Sequence, residues 1–290
     1  MGIQTDEQLQ TVTATLNYLR PMTAKPVNYT YEPPPGVPWQ SGAFDSRAVR
    51  IRDVRPVASG LSLDRQGFAL IQAPSGFTNF DDLAQIKARY YPETERSLQQ
   101  HTGATRVIVF DHNLRNGARA AAGEAGIREP VKRVHNDFTA GSGLRRALDE
   151  LAARGLDPEE VVRHRFAMIN LWRPVSRAVK ESPLALCDAS TMTPGDFVAT
   201  DLVFQQRIGE VYSVTFSPSH RWFYAPRLGP EEALLIKCFD SAEDGRARFT
   251  AHTAFDDPSS PADAPPRESI EARALVIFAS DDNTGGKLDD

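Results

Sequence analysis

Several large functional classes are excluded by what this chain lacks. Among its 290 residues there are 2 cysteines, Cys187 and Cys238. They are too few and too far apart for a disulfide framework, which fits a reducing cytoplasm. No apolar run approaches the ~20 residues that cross a bilayer. Residues 1–10 carry neither a basic nor an apolar leader segment. The 33 basic residues are outnumbered by 38 acidic ones, for a net charge of −5, and no Lys/Arg stripe stands out. A nucleic-acid binder would need such a stripe to neutralise phosphates. The expected setting is therefore the cytoplasm, without nucleic acid or membrane as partner.

The composition, 41% apolar and 24% charged, is that of a globular protein able to bury a large core. No domain boundary is visible, so residues 1–290 read as one unit with its core in 10–280. The polar, Gly-rich 281–290 read as a disordered tail.

Alternating or apolar segments predict strands at 11–20, 49–54, 68–71 and 107–110. The Pro-rich stretch 21–44 predicts an extended loop. A helix should start near Thr78 and Asp81, run through Leu83, Ile86 and Tyr90, and break at Pro92. Pro92 then suits the first turn of a second helix ending near Gly103. Residues 113–130, rich in Gly, Ala and Arg, read as a mobile loop. Leu144, Ala147, Leu148 and Leu151 share one helical face. From 166 onward, short strands follow one another with turn residues between them: 166–172, 184–186, 196–204, 210–216, 222–224, 233–240, 248–255 and 270–278. Mainly β with flanking helices, this pattern predicts a double-stranded β-helix, a form of jelly roll.

The chemistry centres on Val134-His135-Asn136-Asp137-Phe138-Thr139. On a strand, residues two apart project to one face, so His135 and Asp137 would aim at one point. An imidazole and a carboxylate converging there make two-thirds of the triad that holds non-haem Fe(II). With 6 His in the chain, a chance His beside a turn Asp would look the same. The third ligand would be His252, inside the strand-like 248–255; a core His bonded to a backbone carbonyl is the competing account. His112, after Asp111, is a rival ligand. Downstream, Arg267, Ser269, Glu271 and Arg273 alternate with Ile270, Ala272, Ala274 and Val276. The polar set would line solvent or a polar cavity, where an Arg fork matches a carboxylate. Asn170, Trp172 and Arg173 could meet substrate, Tyr212 could bond a cosubstrate, and the aromatics of 220–224 could stack on substrate.

Together, His135-x-Asp137, the distant His252 and Arg267-x-Ser269 resemble the signature of the Fe(II)/2-oxoglutarate-dependent oxygenases. The segments at 90–93, 107–112, 134–137, 170–174, 237–241, 252–255 and 267–273 resemble, more closely, the CmcJ/AsaB-like oxidoreductases. The resemblance implies a jelly-roll dioxygenase that uses Fe(II), 2-oxoglutarate and O2. It would hydroxylate or desaturate a small metabolite of secondary metabolism. It further implies His135, Asp137 and His252 as metal ligands, with Arg267 and Ser269 on the distal carboxylate of 2-oxoglutarate. Arg273 competes for that last role, and spacing does not decide between them. A homodimer is compatible with this reading. Three rivals stand beside it: an iron oxidase without 2-oxoglutarate, a metal-free jelly-roll binding protein, and a hydrolase built on Cys238.

Overall fold

Strict alternation along two long strands divides the protein into layers. The computed structural model describes residues 9–279; the expected tail at 281–290 lies outside them. Its strands are β1 (Thr11–Leu19), β2 (Val27–Tyr29), β3 (Phe44–Asp53), β4 (Phe68–Gln72) and β5 (Arg106–Arg115). They continue with β6 (Ile127–Arg128), β7 (His135–Asn136), β8 (Phe166–Pro174), β9 (Leu184–Cys187) and β10 (Phe197–Val203). The last are β11 (Ile208–Val214), β12 (Trp222–Tyr224), β13 (Glu232–Asp240), β14 (His252–Ala254) and β15 (Ser269–Ile277).

These strands form two sheets. The major sheet runs β1-β3-β12-β9-β14-β7-β11-β10-β2, and the minor sheet β4-β13-β8-β15-β5-β6. Facing one another, they make the expected double-stranded β-helix. Phe166, Met168 and Trp172 on β8, with Leu275 and Ile277 on β15, point inward against Leu184, Leu186 and Phe223 of the major sheet. The alternate residues Ala167, Ile169, Leu171, Ile270, Ala272, Ala274 and Val276 point outward under Phe77, Phe80, Ile86, Tyr90 and Leu98. The period of two thus lets one strand serve two cores.

Helices decorate the barrel, among them α1 (Tyr91–Thr102), α2 (Gly117–Ala121), α3 (Ala140–Ala152) and α4 (Pro158–Val162). Sequence reasoning expects a break at Pro92, but the chain stays helical from Leu83. Asp82 caps the start, and a π-helical turn at Ile86–Tyr90 leads into α1, where Pro92 occupies the first turn. The Tyr91 amide reaches back to the Ile86 carbonyl across the wider π-helical turn, and that local widening lets Pro92, which has no N–H to donate, follow without ending the run. Residues 113–130, expected as a mobile loop, instead hold the end of β5, α2 and β6. Asn116 caps α2 by accepting from the Arg119 backbone NH. Within the expected loop 21–44 lies β2, which pairs in parallel with β10.

Two glycines set close approaches beside the site. Gly67 has φ +80°, and a Cβ there would meet Thr250 Oγ1 at 2.0 Å. Its carbonyl accepts from that hydroxyl at 2.7 Å, fixing the chain just before His252. At Gly143 a Cβ would lie 2.6 Å from the Phe239 ring, so α3 can lie directly on β13.

Candidate active site

β7 is only two residues long, which alters how His135 and Asp137 come together. His135 is in the ladder, paired with Ser213 on one side and with His252 of β14 on the other. That register puts the two imidazoles side by side on the inner face, with ring centroids 4.4 Å apart. Asp137 lies beyond the strand. It occupies the step into α3, whose capping box is made by Thr139 and Ser142. The anchored Thr139 therefore determines where Asp137 points, rather than strand alternation. Asn136, fully buried between the two, donates Nδ2–H to the carbonyls of Phe138 at 2.6 Å and Cys238 at 2.8 Å.

Asp137 Oδ1 is 3.6 Å from His135 Nε2 and 3.8 Å from His252 Nε2. The ligand atoms of all three residues lie within 4.8 Å of one another. Donors ~2.1 Å from one ion and at right angles sit about 3 Å apart, so a small contraction would bring this set onto a metal. Each imidazole is also held in the tautomer that a metal requires. His135 Nδ1 bonds the Arg133 carbonyl at 2.7 Å, and His252 Nδ1 bonds the Thr250 carbonyl at 3.1 Å. A proton on Nδ1 leaves the Nε2 lone pair free. The second carboxylate oxygen, Asp137 Oδ2, accepts from Asn170 Nδ2 at 2.7 Å. Oδ1 is left as the monodentate donor.

The electrostatics suit a cation. Burial, then the charge of neighbouring His252, pushes the His135 imidazole down to about 3. Burial works to raise the Asp137 carboxyl, but His252, Arg273, His135 and the Asn170 hydrogen bond outweigh it and hold it low. A neutral imidazole and an ionised carboxylate are the forms that bind metal. The His135 shift also makes a stability prediction. Below about pH 6.5 the unfolded chain takes up a proton that the folded chain refuses until about pH 3. Stability of the metal-free protein is therefore lost as pH falls through that window, by up to about 1.4 kcal/mol per pH unit. His112 and His220, both pushed down chiefly by burial, add in the same direction. Urea unfolding at pH 7 and pH 5 checks this: the midpoint should fall, and fall less in His135→Phe.

Around the triad, β8, β15 and β5 present a polar inner row. Registers pair Arg273 with Asn170 and Asp111, Glu271 with Trp172 and Asn113, and Ser269 with Pro174 and Arg115. Arg273 grips Asp111 with a two-pronged fork, Nε to Oδ1 at 2.6 Å and Nη2 to Oδ2 at 2.7 Å. Glu271, 5% exposed, accepts the second Asn170 Nδ2 proton at 3.1 Å. Burial, reinforced by Asp137, raises its carboxyl. Arg267, 2% exposed, lies over the Trp172 ring at 5.4 Å and donates Nη1–H to the Ser182 carbonyl at 2.5 Å. Its Nε and the Ser269 hydroxyl are buried without a partner. Unpaired buried donors of this kind are costly unless a ligand meets them. A carboxylate would pair both the Arg267 and the Ser269 donors, whereas the Arg273 fork is already filled by Asp111.

Other residues singled out in the sequence lie elsewhere. Arg173 is on the opposite face of β8 from Asn170 and Trp172, bonded to the Pro230 carbonyl. His112, likewise outward, meets the Tyr91 hydroxyl at 2.8 Å. Asn170 serves Asp137 directly. Tyr212 packs its ring against Phe197 and Phe249, and its hydroxyl accepts from the Ala140 amide at 3.4 Å. Trp222 and Tyr224 build the core under β1, with Trp222 Nε1 donating to the Tyr18 hydroxyl at 2.7 Å. At Cys238, burial raises the thiol well above its usual range, which denies it the thiolate a nucleophile needs. Arg115 and Asp111 escape sequence reasoning as site residues, while Glu271 is placed by it only on the polar face of 267–273. Strict alternation along β5 from the inward Ile108 and Phe110 would have turned Asp111, Asn113 and Arg115 outward; a bulge at Phe110, opposite Arg273 and Ala274, swaps the faces and brings them beside Arg273 and Ser269.

A jelly roll carrying an inward His-Asp-His group invites comparison with known proteins. The family model described as "Oxidoreductase/YMDC permease-like domain" matches residues 16–277. A hydroxylase/desaturase, efuI of Hormonema carpetanum, is 30% identical, over 93% of this chain and 96% of its own. The Fe(II)/2-oxoglutarate-dependent dioxygenase nvfI of Aspergillus novofumigatus is 30% identical, over 88% of this chain and 92% of its own. A solved structure of the iron and alpha-ketoglutarate-dependent endoperoxidase NvfI superposes with a TM-score of 0.83 at 25% identity, covering 94% of this chain and 99% of that one. The chain belongs to the Fe(II)/2-oxoglutarate-dependent oxygenases. As an oxygenase of this family it has the expected jelly roll. No helix among its described residues is long and apolar enough to cross a membrane.

Proposed function

We propose that this oxygenase hydroxylates or desaturates a small metabolite of secondary metabolism, with His135, Asp137 and His252 holding Fe(II). The reading rests on one observation above the others: two Nε2 atoms and one carboxylate oxygen converge while both Nδ1 atoms are tied to backbone carbonyls. The bound iron supplies the chemistry that couples decarboxylation of 2-oxoglutarate to oxidation of a substrate C–H bond by O2. The chain's own residues do the rest. His135, Asp137 and His252 would hold the ion from one side, so that cosubstrate and O2 could reach it from the other. Asn170 keeps Asp137 monodentate, so it does not take a second position. Arg267 and Ser269 take the distal carboxylate of 2-oxoglutarate and fix which way it enters. The apolar inner faces of β8 and β9 keep water out. Two buried, unpaired cysteines support a cytoplasmic location.

Anaerobic addition of Fe(II) and then 2-oxoglutarate to the metal-free protein should give a visible charge-transfer absorption. With substrate and O2, succinate should form one for one with oxidised product. Product without succinate would assign the protein to the 2-oxoglutarate-independent oxidases, and no iron uptake would leave a binding protein.

A further inference from the structure

Besides Arg267 and Arg273, the polar inner row contains a third guanidinium. Arg115 ends β5 directly opposite Ser269, on the face that Asp111 and Arg273 share. Among the described residues, the only hydrogen bond of the Arg115 guanidinium is from Nη1 to the Glu129 carbonyl at 2.8 Å. Neither it nor the Arg267 guanidinium bonds a carboxylate: Arg267 Nη1 meets the Ser182 carbonyl, and its Nε meets nothing. Two cations thus stand within each other's field beside an unpaired hydroxyl. Burial lowers both, Arg267 to about 9, and Arg115 is the next cause of the Arg267 shift. Glu271 and Asp137 oppose the effect at Arg115, but Glu271 spends its hydrogen bond on Asn170. Two buried cations beside unpaired donors favour the entry of an anion.

We infer that Arg115 is a second cationic contact for the distal carboxylate of 2-oxoglutarate, facing Arg267 across Ser269, and that this pair makes the site selective for a dicarboxylate. The inference rests on the reading of the site given above. One oxygen of the carboxylate would meet Arg267 Nε and the Ser269 hydroxyl, while the other faces Arg115. Each charge-assisted hydrogen bond is worth about ten- to a hundredfold in affinity.

Calorimetric titration of the Co(II)-loaded protein with 2-oxoglutarate and with 2-oxobutyrate tests this, because the second keeps the oxo-acid head and lacks the distal carboxylate. Wild type should bind 2-oxoglutarate more tightly. Arg115→Gln should weaken 2-oxoglutarate by at least about tenfold while leaving 2-oxobutyrate unchanged, and Arg115→Lys should recover part of the loss. Equal loss for both ligands, or no loss, would overturn the role of Arg115, with unchanged Co(II) absorption showing that the site is intact. Arg267→Gln tests the underlying reading separately. If it leaves the preference for 2-oxoglutarate intact, the distal-carboxylate assignment fails, and with it the inference about Arg115. If wild type binds neither ligand, the cosubstrate reading fails and takes this inference with it.

Discussion

Asp137→Ala should give a folded protein whose Fe(II) affinity is lower by more than about a hundredfold, the upper range for loss of a residue that only supports a ligand. The substitution removes the one anionic donor of the triad. It also leaves the two imidazoles, 4.4 Å apart centre to centre, with no charge between them. Folding should survive. Asp137 follows a two-residue strand, and α3 is capped independently by Thr139 and Ser142. Asn170→Ala should cost less, about ten- to a hundredfold, because it frees Oδ2 without removing Oδ1. Competition with a fluorescent chelator measures both affinities, and the Co(II) ligand-field spectrum reports coordination without turnover. If Asp137→Ala retained iron as wild type does, this site would not be the metal centre.

The second large effect is on stability. Lys237→Ala should cost about 3 kcal/mol, the low end for breaking a buried ion pair. Lys237, 1% exposed, donates to Asp240 at 2.7 Å and to Asp64 at 2.6 Å, and Asp240 is fully buried. Arg165 also bonds Asp240, so that carboxylate would keep one cation, which is why the low end applies. The network lies beside the metal site. A bulge between Lys237 and Phe239 separates the β13 registers, and the Cys238 carbonyl accepts from Asn136, between His135 and Asp137. Urea denaturation should show the lower midpoint, and Lys237→Met combined with Asp240→Asn should recover part of it. A midpoint unchanged in Lys237→Ala would mean that the pair merely offsets its own desolvation.

Much of this protein was legible in its residues because alternation is a local property. β15 shows the limit of that legibility. Its polar and apolar sets could be read from 267–276 alone, since period two puts them on opposite faces. Which set met the cavity, and which arginine kept free donors there, depended on β5. The Arg273 fork was already taken by Asp111, a residue far away in sequence. Similarly, β14 is three residues long and β7 two, too short for any periodic signal. They exist because neighbouring strands pair with them.

The sequence by itself determined the β-rich class, the inward and outward faces of the long strands, and the donors His135, Asp137 and His252 as types able to bind iron. That these donors meet, that both imidazoles expose Nε2, and that Arg115 stands opposite Ser269 were settled by the tertiary structure alone. The physical reason is that side-chain alternation is set by neighbouring peptide units. Convergence of groups more than a hundred residues apart depends instead on cross-strand registers, which the whole core enforces together.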